Sequence, residues 1–213
     1  VGDAPEEIVV ATGNAHKLEE VSRVLAGIGV RAVSLRDVTL PDGSCACDAP
    51  EPEENARTFA GNAQIKACYY AALTGRVCLA DDSGLEVDAL GGEPGVYSAR
   101  YAGVDGDRAT RDAANNAKLI DAIKPVAADD RTARFVCAMC VAKPDGAIVA
   151  EARGEFAGIV IGEPRGGNGF GYDPLLELPG GRTSAELTPE EKNAQSHRGQ
   201  ATRMIAELLA GLG

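Results

Sequence analysis

Asp81 and Asp82 stand side by side in Leu79-Ala80-Asp81-Asp82-Ser83-Gly84. Adjacent carboxylates repel, so such a pair commonly shares a proton, a cation or a phosphate-bound metal. The run before them, Arg76 to Ala80, has the apolar content of a short buried strand. The acids then form a negative centre at the strand's carboxyl end, where open α/β sheets bind ligands. Two acids capping a turn would look the same in isolation, so the other motifs decide.

Thr12-Gly13-Asn14-Ala15-His16-Lys17 joins a first apolar strand to a helical pattern. Gly13 and Asn14 tolerate backbone that turns successive N–H groups toward one point. The helix N-terminus adds partial positive charge, and Lys17 a full charge one turn in. These are the parts of a triphosphate cradle, although the GxxxxGK[ST] spacing of a Walker loop is absent. Asn62 and Lys66 are four apart, so a helix presents amide and ammonium on one face. Gly166, Gly167, Gly169 and Gly171 surround Asn168 and Phe170. So many glycines suit a backbone that approaches a flat ligand, with Phe170 or Tyr172 stacking on a base and Asp173 accepting from a ring N–H. Ser196-His197-Arg198-Gly199 follows Lys192 and places a histidine and two cations near a helix start, a set suited to oxo groups or phosphate. It is no serine-hydrolase triad, because sequence neighbours cannot make that geometry and no GxSxG elbow exists.

These groups need a scaffold. Ile8 to Thr12 reads as a strand, His16 to Gly27 as a helix with Leu18, Val21, Val24 and Leu25 on one face, and Val30 to Leu35 as a strand. That order implies a parallel pair. Residues 37–54 read as a long solvated loop with three prolines and the acids Asp48, Glu51, Glu53 and Glu54. A helix over 55–73 ends at Gly75, and strands at 76–80 and 85–90 flank the paired acids. Residues 107–123 are helical. Residues 131–143 and 146–161 alternate as two long antiparallel strands joined at Pro144-Asp145-Gly146. Thr188-Pro189-Glu190-Glu191 opens a capping-box helix, and a last helix runs from about Ser196 to Leu209. Without repeats or flexible linkers, residues 1–213 are expected to form one domain of two intimate lobes.

The 213 residues carry a formal net charge of −11 and are 45% hydrophobic. Non-specific nucleic-acid binding needs basic patches and is not expected. No stretch approaches the roughly 20 apolar residues of a membrane span. The acidic opening leads straight into a strand, unlike a signal peptide, so the expected location is cytoplasmic. The six cysteines do not read as a disulfide framework. Cys137 and Cys140 point to opposite faces of a strand, Cys68 and Cys78 read as small core residues, and Cys45 and Cys47 share a loop with no second ligand pair for zinc.

Taken in order along nearly the whole chain, the motifs resemble the inosine triphosphate pyrophosphatase family of dITP/XTP pyrophosphatases. The resemblance is carried by Thr12 to Lys17, Thr58-Phe59 with Asn62-Ala63 and Lys66-Ala67, and Ala80 to Leu85 with Val87 to Leu90. It continues through Pro94-Gly95, Tyr97 to Tyr101, Gly169 to Pro174, Ala185 to Leu187, Lys192 and Ser196 to Gly199. It implies an elongated two-lobed α/β fold on a long mixed central sheet with flanking helices and a nucleotide cleft between the lobes. It also implies a homodimer and Mg2+-dependent hydrolysis of ITP, dITP and XTP to the monophosphate and pyrophosphate. By motif, Thr12, Gly13, Asn14, Ala15, His16 and Lys17 hold the phosphates with Lys66 and Ser83. Asp82 is the implied base and a metal ligand, with Asp81 and Glu54 as further ligands. Phe170, Gly171, Tyr172, Asp173, Lys192, His197 and Arg198 surround the purine.

Selectivity follows from the 6-oxo edge of hypoxanthine and xanthine, which adenine reverses; Arg198 or His197 is the expected reader of the 2-position. One departure stands out. The family's usual Glu in Thr-Phe-x-Glu-Asn-Ala is Gly61 here. If that Glu orders metal or water, another acid must substitute. Glu54 matches a family metal acid by its distance from Thr58, with Glu51 and Glu53 as neighbours able to take the place. Gly61 alone favours a different function, a sensor that holds aberrant purine nucleotides without cleaving them.

Overall fold

The computed structural model describes residues 5–212, apart from the side chain of His16. β1 (Glu7–Val10), α1 (Ala15–Ala26) and β2 (Arg31–Ser34) form a strand–helix–strand unit, with β1 parallel to β2 and Ile8 opposite Ala32. α2 (Phe59–Thr74) leads to β3 (Cys78–Val87), which is parallel to β1. Then come α3 (Arg108–Ile123), β4 (Thr132–Ala142), β5 (Ile148–Val160), β6 (Leu176–Glu177), α4 (Pro189–Gln195) and α5 (His197–Ala210). The sheet order is β2-β1-β3-β4-β5-β6, with β6 antiparallel to β5. The sheet is therefore mixed, as expected of this α/β fold. β4 is buried along nearly its whole length, the mark of a strand covered on both faces, while β5 alternates.

The chain divides into two compact units. The first comprises the described residues up to Asp82, Cys137–Gly154 and the segment from Arg198 onward. Its core joins Ile8 and Val10 of β1, Val21 and Leu25 of α1, Leu79, Met139, and Ile205 and Leu209 of α5. The second comprises Ser83–Val136 and Glu155–His197. Its core joins Leu85, Val87, Leu119 and Ile123 of α3, Phe156, Tyr172, Leu175 and Leu176.

Three sequence expectations are corrected. The paired acids do not end a strand: β3 runs unbroken through Asp81-Asp82-Ser83-Gly84 to Val87. Asp, Ser and Gly are poor strand formers, but tertiary context overrides that preference. Gly84 is held in the strand because a Cβ there would collide with Ser98 Oγ and lie 2.8 Å from the Gly95 carbonyl, and Leu85 N donates to Ser98 Oγ at 2.9 Å. Residues 88–90 form a helical turn rather than the end of a second strand. Finally, α2 starts at Phe59 rather than at residue 55, since Thr58 caps it by accepting from Gly61 N at 3.1 Å.

Candidate active site

Successive residues of a strand point to opposite faces, and the partners of the two acids follow that rule. Asp81 meets Lys17 of α1, with Nζ 2.7 Å from Oδ2, and Arg198 of α5, with Nε 3.6 Å from the same oxygen. Asp82 meets α2: Asn62 Nδ2 donates to Oδ2 at 3.0 Å, and Lys66 Nζ lies 3.6 Å from Oδ1. Burial works against the charge of Asp81, but Lys17, then Arg198 and Lys66, outweigh it and hold the carboxyl well below the usual range. The Asp82 carboxyl is raised, by burial first; Lys66 and the Asn62 amide pull the other way, while Glu54 and Asp81 add to the rise. Burial pushes the Cys137 thiol up to about 12, so beside Asp81 it is a neutral group, with Sγ 3.9 Å from Oδ2.

Beside Asp81 lies a cavity of about 520 Å³. Thr12, Gly13 and Lys17 line it with Lys66, Asp81 and the loop acids Asp48, Glu51 and Glu54. Asn14 N donates to Thr12 Oγ1 at 3.2 Å, which shapes the turn into α1, and Ala15 opens the helix. The side chain of His16 lies outside the described part of the structure. Among the loop acids, Glu54 reaches Lys66, with Oε2 3.4 Å from Nζ. Glu51 lines the cavity and Glu53 does not. Ser83 follows Asp82 directly on β3.

The donors present fit a hard divalent cation. Lys66 Nζ sits between Asp82 and Glu54, so two carboxylates already share one positive charge. Mg2+ typically takes one or two carboxylates and completes its shell with phosphate oxygens and water. The charge of Asp81 is met by Lys17 and Arg198. The expected trio Asp81, Asp82 and Glu54 does not converge. Among the described residues only Cys45, Cys47 and Asp48 bring three ligand atoms within 4.8 Å of one another. There Cys45 and Cys47 are joined as a disulfide, a pairing that the sequence reading did not anticipate and that the Cys-x-Cys spacing could have suggested.

The Gly61 departure has a steric reason. A Cβ at Gly61 would lie 2.7 Å from Ala56 Cβ. Without one, the segment before α2 packs against the helix start, and Ala56 N donates to Asn62 Oδ1 at 3.0 Å. Asn62 is 1% exposed, and its amide takes the Ala56 N–H on its oxygen and gives a hydrogen bond to the Asp82 carboxylate from its nitrogen.

The glycine loop belongs to the second unit. Asp173, 3% exposed, accepts from Phe170 N and Ser184 Oγ, each at 2.8 Å, and pairs with Lys192 Nζ at 2.5 Å. Its oxygens therefore hold the loop together. Phe170 is 39% exposed, with the Arg108 guanidinium carbon 4.0 Å from its ring centroid and Lys192 Nζ 5.5 Å away. Tyr172 is corrected: its ring is buried and its hydroxyl donates to the Ser98 carbonyl at 2.8 Å, so Phe170 is the open ring of the two. His197 stacks on Phe135 at 5.2 Å between centroids. The Arg198 guanidinium meets Asp81 and Glu20 within the first unit. Sequence reasoning placed α3 but did not single out two of its residues: Asp112 Oδ2 accepts from Gly171 N at 2.9 Å and Asn116 Nδ2 donates to the Gly171 carbonyl at 3.0 Å. The i, i+4, i+8 spacing of Arg108, Asp112 and Asn116 is the signal that could have found them.

Gly169 is obligatory in this loop. Its φ is 82°, and a Cβ would collide with the Asp173 carboxylate and lie 2.9 Å from Lys192 Nζ. Gly169→Ala is expected to cost about 1–3 kcal/mol of stability, through backbone strain and a displaced ion pair. Urea unfolding at neutral pH measures it, and an unchanged midpoint would contradict the close approach.

Lys17 and Lys66 stand at acidic groups around one cavity of a mixed α/β sheet, an arrangement of the class of nucleotide phosphohydrolases. The chain belongs to the Ham1 family, whose profile matches residues 8–208. It is 46% identical over 207 residues to a dITP/XTP pyrophosphatase of Thioalkalivibrio sulfidiphilus, covering 96% of this chain and 99% of that one. A HAM1 protein from Coxiella burnetii has a similar structure, with a TM-score of 0.84 at 38% identity over 96% of this chain and 98% of that one. So does a nucleoside-triphosphatase, dITP/XTP pyrophosphatase, from Mycobacterium abscessus, with a TM-score of 0.74 at 46% identity over 95% and 98%. No helix among the described residues is long and apolar enough to cross a membrane.

Proposed function

We propose that this protein hydrolyses dITP, XTP and ITP between the α and β phosphates, releasing the nucleoside monophosphate and pyrophosphate. The observation that carries the reading is the position of Asp82. Asn62 fixes its carboxylate 3.6 Å from the Lys66 ammonium, and Lys66 and Glu54 in turn line the cavity that Thr12, Gly13 and Lys17 also line. Family membership and the named relatives support the same substrate class.

In this reading the start of α1 and Lys17 bind phosphate oxygens, and Lys66 balances further charge. Asp82 orients a water molecule and accepts its proton as the water oxygen bonds to the α phosphorus and the bond to the bridging oxygen breaks. A carboxyl raised by burial is a better base than an ordinary one. Asp82 and Glu54 would hold Mg2+, which supplies charge neutralisation and polarises phosphate oxygens. Phe170 is the stacking surface for the purine, and the Lys192 ammonium is the donor for its 6-oxo group. Adenine would set an amino donor against that ammonium, which is how the site disfavours it.

The reading includes a homodimer in the cytoplasm, where the nucleotide pool requires cleaning; sedimentation equilibrium tests the dimer. Incubation with ITP and Mg2+, with product identification, tests the activity. Stoichiometric pyrophosphate and IMP are expected. Orthophosphate as the only phosphate product would overturn the reading, and binding without turnover would favour the sensor.

A further inference from the structure

We infer that Asp112 and Asn116 of α3 are positioning residues for purine recognition: they hold the N–H and the carbonyl of Gly171, in the two peptide groups that flank it, and so fix the ring of Phe170. The inference rests on the reading of Phe170 as the purine platform. A loop with glycines at 166, 167, 169 and 171 has many conformations to lose, and an aromatic ring carried on it has no fixed orientation of its own. Asp173 restrains it from within the loop at the Phe170 N–H, and the remaining restraint comes from outside the loop.

α3 supplies them along one stripe. Arg108, Asp112 and Asn116 are successive i, i+4 neighbours, so their side chains line one face. Asp112 Oδ2 takes the Gly171 N–H at 2.9 Å, and Asn116 Nδ2 gives to the Gly171 carbonyl at 3.0 Å. Gly171 has a φ of 61°, a turn that swings the chain out and back around Phe170. The N–H before this turn, that of Phe170, goes to the Asp173 carboxylate at 2.8 Å. Two consecutive N–H groups flanking the ring are thus each held by a carboxylate, the stronger kind of hydrogen bond. The Asp112 carboxylate lies 3.8 Å from Arg108 Nε, and the Arg108 guanidinium sits 4.0 Å from the Phe170 ring centroid. One acid on α3 therefore governs both the peptide beneath the ring and the cation beside it.

The test separates the purine end of the substrate from the phosphate end. KM and kcat for ITP with Mg2+, and the inhibition constants of IMP and of pyrophosphate, are measured for Asp112→Ala, Asp112→Asn and Asn116→Leu. For Asp112→Ala, KM for ITP and the IMP constant should rise about tenfold, the scale of one hydrogen bond to a charged acceptor. kcat should hold within about twofold and the pyrophosphate constant should not move. Asp112→Asn keeps an oxygen for the Gly171 N–H and should recover most of the loss, while Asn116→Leu should show a rise of about threefold. The inference is overturned if IMP and pyrophosphate constants move together in the folded variants, or if neither moves. Should Asp112→Ala not fold, the remaining two variants decide by the same criterion. Phe170→Ala distinguishes the layers: if it leaves KM unchanged, the platform reading itself fails. If it raises KM while the α3 variants do not, only the α3 inference fails.

Discussion

Asp82→Asn is expected to lower kcat for ITP by at least about 10²-fold, the usual effect of losing a positioned general base. Asparagine keeps the shape and one oxygen, so the Asn62 Nδ2 contact now at 3.0 Å survives and the fold should be undisturbed. It removes a negative charge from a site that must accept a polyanion. KM for the triphosphate should therefore stay level or fall, and the Mg2+ concentration needed for half-maximal rate should rise, since Glu54 is left as the partner acid across Lys66. Steady-state kinetics across a Mg2+ titration test all three. Full turnover in a folded variant would remove Asp82 from the chemistry, and a raised KM with normal kcat would make it a binding residue only.

Lys17→Met should show two losses with separate origins. In the folded protein the Lys17 ammonium lies 2.7 Å from Asp81, a carboxylate only 8% exposed. Removing one partner of a buried pair leaves an uncompensated charge; the expected loss of stability is about 3 kcal/mol. Arg198, 3.6 Å away, limits the damage but does not replace the short contact. The same ammonium faces the cavity, where it would meet phosphate oxygens. KM for ITP should rise about 10- to 100-fold, the scale of a charged hydrogen bond or two. The double variant Lys17→Met, Asp81→Asn separates the effects, because it deletes both charges of the pair. Its stability, from urea unfolding at pH 7, should return most of the way to the parent, while its KM for ITP stays raised. If the double variant regains normal KM, Lys17 acts on substrate only by restraining Asp81. If the single variant is as stable as the parent, the pair contributes nothing to the fold.

Part of this architecture is legible in local sequence. Thr188 with Pro189 and Glu191 predicts the capping box that opens α4, and the structure has it, with Glu191 N donating to Thr188 Oγ1 at 3.2 Å. Leu18, Val21 and Leu25 mark the buried face of α1, whose inner residues enter the core of the first unit. Other features mislead. Asp-Asp-Ser-Gly has the composition of a turn yet lies within a strand, because α1, α2 and Ser98 supply partners that a free turn would take from water. Ser196-His197-Arg198 suggests three neighbours serving one ligand. The helix start instead turns His197 to Phe135 and Arg198 to Asp81, since adjacent helical residues point about 100° apart.

By itself the sequence determined the chemistry available to this protein: a glycine–asparagine turn before a basic helix, a tandem acid, a glycine loop around one phenylalanine, and the collinear order that marks the family. Those are local, and spacing of a few residues encodes them. Only the tertiary structure decided which charge answers which. Lys17 finds Asp81 across 64 residues, Asn62 finds Asp82 across 20, and Asp112 finds Gly171 across 59. Partners so far apart along the chain are selected by packing of the sheet and helices, where an unmet buried charge is costly, and no short-range pattern records that selection.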